Sequence, residues 1–287
     1  MKPNPFTYVR ARSIAEAVDL VGSGAGEAKI MAGGQSLVPM LNLRIAASDS
    51  IIDVTGITEL QQSVETSDGA YFGACVTHER IQRGETPDPS NGLMPRIAAR
   101  IAYQAVRNRG TIGGSLALAD PAADWLTTTV ALDATIEWTG PEGPRACRAE
   151  DFVLAAYTTR LDPADVLTGL RIPRLPSDAR WGTYKLTRKT GEYAHAMATV
   201  VRSQGRSRAV LGATGGAPIR LPQTEHHLNG LKHWDHETAS RLAAAMASDL
   251  RGVTLQISDV HMWQLRTCLV RAAQMSFGVQ APDMETI

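Results

Sequence analysis

Residues 111–124 read Thr-Ile-Gly-Gly-Ser-Leu-Ala-Leu-Ala-Asp-Pro-Ala-Ala-Asp, and an earlier stretch, residues 32–37, reads Ala-Gly-Gly-Gln-Ser-Leu. Each holds two adjacent glycines followed within two positions by a hydroxyl. Without a Cβ in the way, consecutive backbone N–H groups can turn toward one point, and such a nest receives phosphate oxygens. A single loop of this kind is more often a plain tight turn. Here there are two of matched composition, and Asp120-Pro121 predicts a helix after the second, capped at its start and running to about Leu132. The positive end of a helix dipole favours anions, so the pair shifts the reading toward a ligand with a pyrophosphate.

Upstream of these segments, Ser13-Ile-Ala-Glu16 forms a capping box for a helix with Ile14, Ala17, Val18 and Val21 on one face, ended by the glycine-rich run from Gly22. Short buried strands are predicted at Lys29–Ala32, Ile51–Val54 and Tyr71–Cys75, with a helix capped by Thr77 and another carrying Pro95, Ile97 and Ile101 that stops near Asn108. Strand-like pieces at Thr135–Thr139 and Val166–Ile172 lie to either side of the turn residues at 140–144, and Pro173 to Pro176 read as a linker. Beyond it, Thr183–Thr187, Ala196–Val201 and Ala209–Ala213 suggest an antiparallel meander. Two helices close the chain, one over Glu237–Leu250 and one from the Ser258 cap to Gly278, with Trp263 and Leu269 among its apolar positions.

The 287 residues include 29 basic and 29 acidic side chains, so bulk charge offers nothing to nucleic acid. With 44% apolar residues the chain can build real cores over about two domains, which sets wholesale disorder aside. The N-terminus lacks an apolar core of signal-peptide length, and no segment approaches the roughly 18 apolar residues of a membrane span. Cys75, Cys147 and Cys268 are too few for a disulfide framework and one short of the four thiolates of an iron–sulfur cluster. A reduced, cytoplasmic protein is expected. Cys75 and Cys268 read as small core residues.

Other motifs fail on context. Gly22-Ser-Gly-Ala-Gly26 mimics a dinucleotide fingerprint, but its third glycine comes one residue early and a helix precedes it where a strand is required. No Walker-type phosphate loop is present, and Lys189-Thr-Gly191 lacks the serine motifs that would make it a penicillin-recognising site. His226, His227, His233, His236 and His261 share a region without cysteine pairs or a His-Glu-x-x-His, so solvent-exposed histidines are expected before a zinc site.

Three ordered motifs carry a family resemblance: AGGQSL at 32–37, TIGGSLALADPAAD at 111–124 and YKLTRKTGEYA at 184–194. From Pro3 to about Gly278 the chain resembles the flavin-binding medium subunits of molybdenum hydroxylases, the group of the carbon monoxide dehydrogenase medium subunit and the flavin segment of xanthine dehydrogenase. The resemblance implies an α+β fold: a two-part FAD-binding domain, residues 1–57 and 58–176, then a C-terminal domain, residues 177–287, with a three-stranded antiparallel sheet and a helical bundle.

It also implies site residues. Ala32, Gly33, Gly34, Gln35, Ser36 and Leu37, with Thr111, Ile112, Gly113, Gly114 and Ser115, would hold the FAD diphosphate mainly through backbone donors. Asp124 would hydrogen-bond a sugar-like part of FAD, although an acid in a first helical turn is also favoured by the dipole alone. Leu167 would pack on the cofactor, with an ordinary core role as the plain alternative, and Lys185 would lie near the flavin where residues alone suggest a solvated strand lysine. A cation at about 4 Å in a medium of effective dielectric about 20 would stabilise the reduced ring by at most about 4 kcal/mol. The loop Arg188–Tyr193 would lie beside the ring, Tyr193 covering it and Glu192 influencing acceptor entry. Leu118 stands where the family often has histidine, and Leu126 near where proline is more usual.

The implied function is an electron-transferring flavoprotein subunit with noncovalent FAD, dependent on an iron–sulfur small subunit and a molybdopterin large subunit for turnover and on a small-molecule electron acceptor. The flavin carries the redox chemistry, so no catalytic side chain and no metal are expected on this chain. A stand-alone FAD oxidoreductase and a non-catalytic FAD-binding scaffold are the alternatives.

Overall fold

The computed structural model describes residues 2–22, 26–253 and 257–279. Three short parallel strands open it: β1 (Thr7–Arg10), β2 (Ala28–Met31) and β3 (Ser50–Asp53), in the order β1-β3-β2. Helix α1 (Ile14–Gly22) begins at Ser13, whose hydroxyl accepts from the Glu16 N–H at 3.1 Å. The Glu16 carboxylate reaches back to the Arg12 N–H, one residue before the position a capping box requires. Of the glycine-rich run, Ser23 to Ala25 lie outside the described residues. Helix α2 (Leu37–Asn42) follows the first glycine segment.

A second, wholly antiparallel sheet of order β4-β5-β10-β6-β7 is built from β4 (Ser63–Glu65), β5 (Gly69–Gly73), β6 (Thr135–Gly140), β7 (Gly143–Arg148) and β10 (Val166–Pro173). The turn residues at 140–144 close a β6–β7 hairpin; β7, with little β-like pattern in Gly-Pro-Arg-Ala-Cys-Arg, was not read from the sequence. Between β7 and β10 come α9 (Ala149–Phe152) and the two-stranded β8 (Val153–Ala155) and β9 (Thr158–Thr159). The helices on this region are α3 (Thr58–Gln61), α4 (His78–Gln82), α5 (Leu93–Ala99), α6 (Gln104–Arg107), α7 (Ile112–Leu118) and α8 (Asp124–Ala131). Thr77 caps α4 as expected, its hydroxyl accepting from Arg80. The helix with Pro95 ends at Ala99, and a separate short turn, α6, reaches Arg107.

Two boundaries around the second glycine segment differ from the sequence reading. Gly113 and Gly114 are not a loop ahead of a helix; they form the first turn of α7, capped by Thr111. The next helix starts at Asp124, because the Asp120 carboxylate is used by the Ala122 N–H in a turn at 2.9 Å.

The C-terminal sheet holds the three expected strands, β11 (Arg180–Leu186), β12 (Ala196–Ser203) and β13 (Arg206–Gly212), and adds a two-residue β14 (Ile219–Arg220) at its edge. Against it pack α10 (Pro222–Leu228), α11 (His236–Asp249) and α12 (Asp259–Ser276), the last two capped by Asp235 and Ser258. Helix α12 lies so close to β11 that a Cβ on Gly182 would come 2.8 Å from the Ser276 nitrogen. Leu269 on α12 is fully buried, whereas Trp263 is 57% exposed.

Helix α8 decides how the parts meet. All eight of its residues are buried, which marks a helix enclosed on every side. Val201 and Val210 of the C-terminal sheet belong to the same apolar cluster as Trp125, Leu126 and Val130 of α8. A second cluster, with Leu211, Leu265, Leu269 and Ala272, fills the space between that sheet and α12.

Candidate functional site

The two glycine segments lie against each other. A Cβ on Gly33 would overlap the Arg109 carbonyl and stand 2.9 Å from the Gly110 Cα, so the first segment rests on the residues that lead into the second. A Cβ on Gly114 would come 3.7 Å from the Ala32 Cβ. Within each pair the glycines divide the work. Gly33 and Gly113 are packed on backbone, Gly113 so tightly on Ala74 that a Cβ would sit 2.6 Å from its carbonyl oxygen. Gly34, at φ 71°, and Gly114 face side chains only.

The segment 74–78 is the bed for the second pair. The N–H groups of Gly113, Ile112 and His78 bond the carbonyls of Ala74, Val76 and Gly110 at 3.0 Å each. The His78 ring is buried beneath Gly110 and accepts from the Trp125 indole N–H through Nδ1 at 3.1 Å. Burial holds this imidazole neutral by pushing its pKa down to about 3. His78 and Trp125 were not singled out from the sequence.

Among the described residues, the backbone N–H groups of Gly34, Gln35 and Ser36 donate to nothing. Ser36 starts α2 without a capping side-chain bond, and its hydroxyl meets that of Tyr193. In the second segment the Gly114 N–H is taken by the Thr111 hydroxyl at 3.0 Å and the Ser115 N–H by the Thr111 carbonyl at 3.1 Å. The Ser115 side chain remains half-buried beside them.

Strand β11 and helix α8 bring Lys185 and Asp124 together. The ammonium Nζ donates to Asp124 Oδ2 at 2.8 Å, and the two side chains are 9% and 10% exposed. The solvated strand lysine is therefore corrected: Lys185 faces α8, because the register of β11 alternates it inward with Thr183. Burial pushes the Asp124 carboxyl up, and the neighbouring ammonium pulls it back. Asp124, Lys185 and Arg100, the C-cap residue of α5, line a cavity of about 10 Å³, room for one water. Arg100 was also missed by the sequence reading, where it is simply the residue ending a helix.

Leu167 is 7% exposed in the main core, at the point where the β10–β6 register shifts. Tyr193 is 63% exposed, with Glu192 ion-paired to Arg188 at 3.5 Å. Their loop packs on the residues that lead into α6 through Gly191, whose φ is 85° and whose Cβ would come 3.1 Å from Tyr103 and from the Ala102 carbonyl. The structure thus gathers residues 32–37, 111–115, Asp124, Lys185 and Tyr193 in one region.

That region fits a diphosphate cofactor in two respects. Gly34, Gln35 and Ser36 leave backbone donors unspent, and Ser115 adds a half-buried hydroxyl. Elsewhere, Cys75 and Cys268 are buried thiols pushed up to about 12, as core cysteines should be. No group of three metal-binding side chains occurs among the described residues, and no helix among them is long and apolar enough to cross a membrane.

Comparisons with known proteins point the same way. Residues 4–175 match the family model described as "FAD binding domain in molybdopterin dehydrogenase". The chain is 34% identical to the nicotine 6-hydroxylase medium subunit of Paenarthrobacter nicotinovorans over 91% of each chain. It is 35% identical to the carbon monoxide dehydrogenase medium chain of Hydrogenophaga pseudoflava, covering 77% of this chain and 78% of that one. A solved structure of the carbon monoxide dehydrogenase from the same organism superposes with a TM-score of 0.87 at 30% identity, over 98% of this chain and 100% of its counterpart.

Proposed function

The chain belongs to the family of FAD-binding domains of molybdopterin dehydrogenases, and from that we propose that it is the FAD-containing electron-transfer subunit of a molybdenum hydroxylase. It takes electrons from iron–sulfur clusters on a small partner subunit and passes them to a small-molecule acceptor, while a large molybdopterin subunit oxidises the substrate. With three cysteines it cannot build those clusters itself. The observation that carries the reading is the meeting of two glycine segments, with backbone donors left unspent in the first.

In this reading the N–H groups of Gly34, Gln35 and Ser36 bind the diphosphate, while Ala32, Gly33 and Leu37 hold that turn in place. Thr111, Ile112, Gly113 and Gly114 provide a close, flat wall, and the Ser115 hydroxyl adds a donor. Asp124 accepts from a sugar-like hydroxyl while Lys185 keeps it charged. Leu167 packs below, and Tyr193 covers the open side. FAD supplies reversible two-electron chemistry; the protein supplies binding, orientation and charge. Residues 1–57 and 58–176 form the two parts of the FAD domain and 177–287 the C-terminal domain, in a cytoplasmic protein.

Copurification of the tagged chain with its native partners tests the assembly: a cysteine-rich iron–sulfur protein and a large molybdopterin protein should accompany it. Acid denaturation should release FAD into the supernatant, because no histidine or cysteine tether follows either segment. Flavin left on the washed polypeptide would overturn noncovalent binding. Flavin reduction by substrate in the absence of partners would favour a stand-alone oxidoreductase.

A further inference from the structure

The small cavity at the Asp124–Lys185 pair has an uneven charge. Three charged side chains line the small cavity, Arg100, Asp124 and Lys185, among neutral threonines from α8, β11 and β12. Lys185 and Asp124 form a contact pair at 2.8 Å, and Asp124 has no other cation bonded to it. Potential falls as the reciprocal of distance, so an opposite charge 2.8 Å behind an ammonium removes about two thirds of its potential at about 6 Å. The pair acts at a distance as a dipole.

Arg100 differs. Among the described residues no carboxylate lies within ion-pair distance of its guanidinium, and Asp124 is the acid that feels its field. It ends α5, where the unsatisfied carbonyls of a helix C-terminus favour a cation. The three charges therefore sum to one positive charge, and Arg100 is its source.

We propose that Arg100, rather than Lys185, is the positioning cation that biases this site toward the anionic reduced form of the flavin. The inference rests on the FAD reading above. Two electrons and one proton convert the neutral oxidised ring to a reduced ring with one negative charge, so an uncompensated cation stabilises the product more than the starting state. Lys185 instead keeps Asp124 ionised and fixed.

The test compares Arg100→Gln, Arg100→Lys and Lys185→Met in the assembled complex, reading FAD occupancy, the dissociation constant of oxidised FAD and the midpoint potential by spectroelectrochemistry. Arg100→Gln should retain FAD and lose about tenfold in its preference for reduced over oxidised flavin, about 30 mV for a two-electron couple. Arg100→Lys should stay within about twofold of the parent. Lys185→Met should move the potential less than Arg100→Gln, because Asp124 without its ammonium takes up a proton and both charges of the pair are lost together, and it should lower the melting temperature more, since a buried ion pair is broken. An unchanged potential in fully occupied Arg100→Gln, or a larger shift in Lys185→Met, overturns the proposal. So does loss of FAD from Arg100→Gln with Arg100→Lys intact, because the charge would then serve binding in both redox states. Absence of FAD from the parent protein would instead defeat the underlying reading.

Discussion

Between residues 32 and 37 the N–H groups of Gly34, Gln35 and Ser36 are unspent, whereas from Ile112 to Ser115 every N–H is already engaged by the protein. The two segments share a composition and do different things with it. In the first, a left-handed Gly34 lifts the following donors away from the fold. In the second, Thr111 caps a helix, and the glycines let that helix lie flat on Ala74. One segment offers hydrogen bonds and the other close approach, so a repeated motif does not imply a repeated mode of binding.

The largest expected effect separates the glycines packed on backbone from those that face side chains only. Gly33→Ala and Gly113→Ala each force a Cβ into backbone, and each should remove about 3 kcal/mol of stability from the FAD-free protein, measured by urea unfolding. A loss below about 0.5 kcal/mol would break the division within each pair.

Next come the positions that face side chains, where Gly34→Val and Gly114→Val should abolish FAD retention, weakening affinity by at least about 100-fold, or about 2.7 kcal/mol. Titration of the FAD-free variants measures this. Gly34→Val should also cost about 1 to 2 kcal/mol in stability from its left-handed backbone. Full FAD occupancy in either variant would remove the cofactor from that surface.

The bed beneath the second segment has a pH signature that the first lacks. His78 stays neutral in the folded protein down to about pH 3, while in the unfolded chain it takes a proton near 6.5. Between those values the unfolded state binds the extra proton, so stability is full above about pH 6.5 and declines as pH falls, by up to about 1.4 kcal/mol per pH unit. The decline ends near the folded value. His78→Gln should flatten this slope between pH 6 and 4 in urea titrations; an unaltered slope would assign it to other groups.

The smallest effect contrasts the two hydroxyl residues that begin α2 and α7. Thr111→Ala loses a capping bond and should cost about 1 kcal/mol, whereas Ser36→Ala, with no cap to lose, should stay within about 0.5 kcal/mol in the FAD-free protein. Equal losses would mean that the Tyr193 contact holds Ser36 as firmly as the cap holds Thr111.

The glycine segments, the Thr77 and Ser258 caps and the three main C-terminal strands were legible because their signals are local: turn residues, caps and alternation. Local signals make α7 a loop and place the start of α8 at Asp120-Pro121, because that pair offers a stronger cap signal than Thr111, and only the turn formed by Asp120 shows that it is spent elsewhere. Burial of Lys185 was beyond local reading, since its partner lies 61 positions away and alternation alone does not say which face of β11 is covered. Arg100 and His78 share that condition: what makes each of them matter is a neighbour from a distant element.

The distance from Asp124 to Lys185 also sets a clock. Ribosomes add about 5 to 20 residues per second, so the 61 positions between the two correspond to roughly 3 to 12 s of synthesis. During that interval the nascent chain holds both glycine segments and the carboxylate without its cation, and protonation is the cheaper way to bury the acid. Only when β11 and β12 dock do the charges of the small cavity come together. A chain stalled between these two positions would hold both glycine segments with Asp124 still unpaired.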